Sequence, residues 1–488
     1  MTASATTADT PALPSREVSW IWLRHLTSIL FPATGLAFVL SGPHPWYVAP
    51  LFMAPLVLAF WLDKRPVFER RQPAASLPAW PFDALVYLLA ALQLGAVFAL
   101  VAMFAHQALF SVDTVMAALV VGSSSGFSII TAHELIHREK RWEQQLGRLL
   151  LCTVLYEHFY TEHLRGHHVR VGTPEDPATA RFGEPYESFF RRTVPAQFRS
   201  AWRLEARRLG DERMSLLDRR MLRNRILHGL ALEWGLALAA WAAFGFAAFA
   251  VYVVQAFMAV RLLEAVNYFE HWGLLRRARR IRPVDSWDTH SWFTYYSLVG
   301  LSRHADHHAF PQRPYQQLRV FDEVPVLPSG YVGTIDLVMA RNDEFRRAAT
   351  EELERRRLGP FAPDAPPEEA AQAQALAAAE RAPAAEAPAP ARGALGRRWA
   401  ALPAPARVAL FLLGFAAAVS LGAWIEAGGA GPGLGARFAL SLWILAVFAV
   451  VIRVRRLVED RGQFGLSWVA AFGLLVVLGI LTERVLGG

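Results

Sequence analysis

Apolar residues make up 54% of this 488-residue chain, and they are gathered into long blocks separated by charged loops. The gathering restricts the fold more than the fraction does. An apolar run of about 20 residues is long enough to cross a bilayer, and there it has to be helical to satisfy its own backbone. Such blocks run over 25–40, 46–62, 82–104, 115–130, 226–249 and 249–266, and again over 408–425, 438–452 and 466–481. The first, second and eighth are short. The pattern predicts an all-α integral membrane protein: a six-transmembrane-helix bundle plus a C-terminal three-helix membrane module. A further stretch, 146–159, is too short to cross and carries His158, which places it at the interface or buried against the bundle.

The charges give the topology. The net charge of +8 is concentrated in particular loops: Lys64 to Arg71, Arg138 to Arg141, a dense set over 181–225, Arg276 to Arg280, and Arg453 to Arg456. Basic loops stay in the cytoplasm. If the chain starts inside, six crossings return it to the cytoplasm near Asn267 with every basic loop on that side. The loops expected on the other face, around 41–45, 106–113 and 428–435, carry almost no basic charge. This predicts a bacterial inner (plasma) membrane protein whose first span serves as an uncleaved signal. The expected units are a disordered 1–16, a membrane domain over 17–345, a charged and Ala/Pro/Glu-rich linker over 346–396, and the C-terminal module over 397–488, whose role the residues do not reveal. The single cysteine, Cys152, sits in an apolar stretch and reads as a core residue; it excludes internal disulfides and any four-cysteine metal centre.

Nine of the fifteen histidines lie in four tight clusters at the ends of these apolar blocks. They are His133 and His137; His163, His167 and His168; His271; and His304, His307 and His308. Histidines four apart share one face of a helix, so both rings reach one site. Neutral imidazole is the commonest metal ligand, and one ion takes only four to six ligands, so nine imply two metal ions. Glu134, Glu162, Glu270 and Asp306 flank the clusters and are expected behind the imidazoles, fixing their tautomers. His25, His44, His106, His158 and His228 lack such spacing and read as structural or interfacial; His158, five residues before His163, lies nearest a cluster. His290 reads as a polar loop residue.

His133-Glu-Leu-Ile-His137 also matches zinc peptidases, in which the Glu is a general base. That reading leaves six histidines unexplained. A metal transporter or sensor would place its ligands at mid-bilayer rather than at the cytoplasmic ends of the spans. A histidine-rich site beside lipid suits iron and O2 acting on an apolar substrate, because unactivated C–H bonds need a stronger oxidant than any side chain.

The histidine boxes resemble those of the integral-membrane desaturase and hydroxylase superfamily. Within it, Asn267-Tyr-Phe-Glu-His-Trp-Gly-Leu274, Thr173-Pro-Glu-Asp-Pro-Ala-Thr-Ala180 and Leu327-Pro-Ser-Gly-Tyr331 are similar to the bacterial membrane alkane monooxygenases and to the xylene monooxygenase hydroxylase component. The resemblance covers about 20–340. It implies that the nine histidines hold two non-haem iron ions, and that the reaction inserts one oxygen of O2 into a terminal methyl group. It also implies that electrons come from a rubredoxin or ferredoxin-type donor with its reductase. With one cysteine, this chain has no fused rubredoxin, so the donor is expected to be a separate protein. The arginine-rich surface suits either an acidic donor or anionic lipid head groups. A fatty-acyl desaturase or hydroxylase, or a xylene-type aromatic methyl hydroxylase, is the alternative. Trp272, Ser302, Asp288 and His290 depart from the family pattern and bear on the substrate.

The substrate is expected to enter from the bilayer and descend between spans. Gly122-Ser-Ser-Ser-Gly126 has the spacing of close helix packing, although small residues also leave room for an alkyl chain. The resemblance also implies that a bulky residue on the second span can limit chain length, and Met53, Leu56, Phe60 and Trp61 are the candidates for it here.

Overall fold

The computed structural model describes residues 15–381, except 46, 47, 75, 76, 106, 108, 110 and 216. The expected three-span module at 397–488 lies outside the described residues, as does nearly all of the N-terminal 1–16. Every element among the described residues is helical, and the only strand-like pairings are two isolated bridges, Phe68 with Ser291 and Asp288 with Val326.

Five helices are long and apolar enough to cross a membrane: α1 (Glu17–Ser41), α3 (Ala79–Met103), α4 (Val112–Ile136), α8 (Arg225–Phe244) and α9 (Phe246–His271). The second expected span is a shorter apolar helix, α2 (Ala49–Asp63). Pro50 sits in its opening 3-10 turn, and a proline can begin a helix but not be preceded by one. At its start α2 packs near the N-terminal end of α4; at its end it packs on α10 (Trp292–Ser297) and α12 (Tyr331–Ala340). Of the six expected spans, with the second among the short blocks, five are helices long enough to cross and the second is this shorter helix.

Small residues bring α4 and α9 together. A Cβ on Gly122 would stand 2.7 Å from the Met258 Cβ, and one on Gly126 would stand 2.8 Å from the Leu262 Cδ1. Serines within and just after this run turn to α3, where Gln93 donates to Ser125 (2.6 Å) and accepts from Ser128 (3.0 Å). A polar knot that satisfies its own members inside the bundle fixes which faces meet. Close packing was the expected role of this run, and the backbone approach bears it out.

The short stretch after α4 forms α5 (Arg141–Cys152), which packs along α4. A Cβ on Gly147 would stand 2.9 Å from the Ala132 carbonyl. Cys152 is buried, as expected of a core residue. α6 (158–170) and α7 (Tyr186–Arg208) follow, and α7 packs on both α6 and α9.

The linker expected at 346–396 is, as far as 381, built into the fold. Within α13 (Asn342–Arg356), Phe345, Ala349 and Leu353 are fully buried. α14 (Pro367–Arg381) buries Ala373 and Ala377, one turn apart. Arg277 anchors it, donating to Glu369 at 2.7 Å and to the Gly359 carbonyl at 3.1 Å. Alanine is the best helix former, and a two-alanine face lets a helix lie close on its neighbours. Composition alone hid this.

Candidate metal centre

Four helix ends converge on one point. His133 and His137 close α4; His163, His167 and His168 lie in α6; His271 closes α9; and α11 (His304–Ala309) carries the last three. The ligand atoms of His133, His137, His163, His168 and His307 all lie within 4.8 Å of one another, and so do those of His167, His271, His304 and His308. All nine clustered histidines are accounted for by these two groups.

The division of α6 departs from the simple helical reading. His163–His167 is a π-helical turn, in which residue i+5 takes the place above residue i. His168 therefore stands over His163, with Nε2 atoms 3.0 Å apart, while His167 is turned towards His271. In α11 the ordinary spacing holds: His304 and His308 share one group, and His307 reaches across to the other. Arg276 ties the end of α6 to the segment after α9, its amide donating to the Gly172 carbonyl at 2.6 Å and its guanidinium to Val169 and Val171. Gly172 has φ +73°, a conformation that L side chains rarely adopt, and a Cβ there would stand 2.9 Å from Arg276.

The nitrogen positions fit metal ions. Nε2 atoms of His137 and His163, His163 and His168, His168 and His307, and His271 and His304 approach to 3.0–3.1 Å. An imidazole nitrogen binds a first-row ion at about 2.1 Å, so adjacent ligands on one ion sit about 3 Å apart. A chain of neutral imidazoles cannot satisfy every such contact by hydrogen bonding. His133 Nε2, His167 Nε2 and both ring nitrogens of His308 are buried without a partner. Burial lowers His137, His163, His168, His304, His307 and His308 well below the ordinary imidazole range. The neutral form is the one that ligates.

The carboxylates behind the rings are mostly not the ones expected. Glu270 does face a ring, 3.3 Å from His304 Nδ1, and accepts from Tyr331 at 2.6 Å. Glu134 instead pairs with Arg138, Glu162 with Arg170, and Asp306 with Arg313 and Arg319. Three of the four thus hold the framework through arginine rather than an imidazole. The residue sequence reasoning passed over is Asp176, buried in the 173–181 segment, which accepts from His167 Nδ1 at 2.9 Å and from Thr179 at 2.7 Å. That bond leaves His167 Nε2 free to ligate. Asp176→Asn is expected to weaken metal retention about 10- to 100-fold, read as bound metal against a chelator series; an unchanged series would show that the contact is dispensable.

The remaining described histidines stay apart, and His106 lies outside the described residues. His25 is caged by Phe82, Tyr295, Tyr296 and Tyr315. His44 pairs with Asp113, His228 contacts the Leu222 carbonyl, and His158 packs on Tyr156 and Phe198. His290 offers its carbonyl to the Glu69 amide. Two departures from the family pattern have structural work: Asp288 accepts from the Ala305 amide at the start of α11, and Trp272 is fully buried and donates to the Glu184 carbonyl.

A narrow crevice with a free volume of about 30 Å³ opens between α4 and α9 and ends on the histidines. Gly126, Ile130, Phe159, Leu262, Val266, Leu301 and Ile335 line it together with His133, His163 and His304. The small-residue run thus serves the cavity as well as the packing. Met53, Leu56, Phe60 and Trp61 do not line it, and Phe60 and Trp61 lie instead under Lys64 and Arg65.

Residues 114–331 match the fatty acid desaturase family model. Alkane 1-monooxygenase 1 of Alcanivorax borkumensis is 34% identical over 333 residues, which cover 64% of this chain and 80% of that protein. The chain belongs to the alkane 1-monooxygenase family. Alkane 1-monooxygenase 1 of Pseudomonas aeruginosa is 40% identical over 237 residues, 47% of this chain, and the match spans 59% of its length. The xylene/toluene monooxygenase hydroxylase component XylM of Pseudomonas putida is 26% identical over 209 residues, 41% of this chain and 54% of that protein. The family match contains all nine clustered histidines and Asp176.

Proposed function

We propose that this chain is a membrane-bound non-haem di-iron monooxygenase that converts a terminal methyl group of an alkane or alkyl chain to a primary alcohol. One observation carries the reading: two separate histidine groups, of five and four, adjoin an apolar crevice between two membrane-spanning helices, with His133, His163 and His304 in its lining. Imidazole suits iron among the first-row metals. His133, His137, His163, His168 and His307 would hold one ion and His167, His271, His304 and His308 the other. Iron in this setting supplies the oxidant that no side chain can.

The protein's own part is positioning. Leu262, Val266, Ile130 and Leu301 give the crevice apolar walls beside His133, His163 and His304, and an alkyl end would reach the histidines only as these side chains part to admit it. Asp176 and Glu270 orient rings from behind. Six passes through a bacterial inner membrane, with α2 as the short pass, put the centre on the cytoplasmic face; the basic loops support that orientation. A separate acidic donor and reductase supply electrons.

Cells expressing the chain with a rubredoxin and its reductase are expected to convert n-octane to 1-octanol, and the purified protein to hold about two irons per chain. No product from alkanes, alkylarenes or fatty acids would overturn the proposal, as would a single zinc. The similarity to XylM is the reason for including p-xylene; exclusive aromatic methyl hydroxylation would move the substrate assignment to that class.

A further inference from the structure

Inserting one oxygen of O2 into a C–H bond and releasing the other as water consumes two electrons and two protons. The one cysteine is buried, so the chain has no cysteine-ligated redox centre of its own. If the proposed oxygenase reading holds, a reduced carrier must come close to the histidine groups from the aqueous side.

The 173–181 segment lies directly against the four-histidine group. On its inner side Asp176 holds His167. On its outer side Pro174, Glu175 and Pro177 form one wall of a groove of about 420 Å³, whose other wall is α7. Six guanidinium groups surround this groove: Arg170, Arg181, Arg192, Arg199, Arg203 and Arg207, with Glu175 the one acid among its lining residues. Arg192, Arg199, Arg203 and Arg207 recur at helical spacing along one face of α7. Arg170, Arg192 and Arg207 are spent on Glu162, Glu184 and Glu212. Arg181, Arg199 and Arg203 are exposed, and among the described residues their side chains have no hydrogen-bond or ion-pair partner. Like charges gathered without internal neutralisation repel one another, and an oppositely charged surface relieves that.

We propose that the groove between α7 and the 173–181 segment is the docking site of an acidic electron-donor protein, whose carboxylates pair with Arg181, Arg199 and Arg203. From the groove, one residue of chain and the Asp176–His167 hydrogen bond lead to the four-histidine group. The groove shares Pro174, Arg181 and Arg192 with a second hollow of about 370 Å³. Glu369, Gln372, Ala373 and Leu376 of α14 wall that hollow, a polar helix that suits an aqueous rather than a head-group setting. Anionic lipid is the competing occupant.

The full-length chain in nanodiscs, assayed with an acidic rubredoxin and n-octane, tests this. The Arg199→Glu/Arg203→Glu pair is expected to lower kcat/KM for rubredoxin about 100-fold and to flatten its salt dependence, with the octane KM unchanged. Arg280→Glu, an exposed charge elsewhere, is expected to keep the parent's donor kinetics. Binding of oxidised rubredoxin, measured directly, keeps the test independent of turnover, and a rubredoxin with lysines in place of the facing carboxylates should restore binding to the pair. Unchanged rubredoxin binding by the pair overturns the proposal; so does a loss seen in anionic-lipid discs but not in neutral ones, which would assign the groove to lipid. Charge-dependent rubredoxin binding by a chain with no oxygenase activity would sustain the docking site and sink the oxygenase reading.

Discussion

Alanine in place of His271 is expected to lower turnover more than about 1000-fold and to bring bound iron from about two towards about one per chain. His271 is fully buried at the end of α9, its Nε2 3.1 Å from that of His304 and its ring 4.7 Å from that of His167. Removing it leaves three histidines in its group, with no water-accessible donor to replace it. His307→Ala is the informative contrast. It leaves four imidazoles in the five-histidine group, so more iron should survive although turnover is lost. His158→Ala, outside both groups, should change iron content in neither. Elemental analysis beside octanol formation reads all three, and wild-type turnover in His271→Ala would refute the assignment of the four-histidine group.

The site was legible in the sequence because histidine is scarce in apolar helices, and its spacing survives in the linear chain. What the chain does not announce is helical pitch. Reading 163–168 at 3.6 residues per turn pairs His163 with His167, whereas the π turn pairs His163 with His168, and no residue type marks such a turn. Asp176 was missed for a related reason: it lies nine residues past His167, and the fold of 173–181 alone returns it to that ring. Glu134 and Glu162 drew attention by adjacency, but adjacent helix residues face different directions, and both found arginines. Hydropathy marks the second block as apolar, but the helix it forms, α2, is shorter than the five crossing helices. In α14 a composition poor in bulky side chains concealed a two-alanine face.

Asp63→Ala is expected to destabilise the histidine-bearing side of the domain by about 3 kcal/mol, lowering the thermal midpoint by about 6–12 °C. The carboxylate is buried at the end of α2 and gathers three elements: Ser291 donates to Oδ1 at 2.6 Å, Thr294 at 2.6 Å, and the Gly333 amide to Oδ2 at 3.1 Å. Thr294 is at the same time the acceptor for the Tyr331 amide, at 2.9 Å, so the knot reaches the residue whose hydroxyl holds Glu270. Truncation strands these donors away from water. Asp63→Asn separates lost acceptors from lost volume, because its carbonyl can still take the Ser291 and Thr294 hydroxyls while its amide meets the Gly333 N–H. An intermediate loss, about half that of alanine, is therefore expected for Asn. Gly330→Ala attacks the same point, since its Cβ would overlap the Asp63 carboxylate. Iron-loaded protein should unfold at a lower temperature in all three variants, and the midpoints should rank Asn above Ala. Equal midpoints for Asp63→Ala and the parent would show that α2 is held to the site by its apolar face alone.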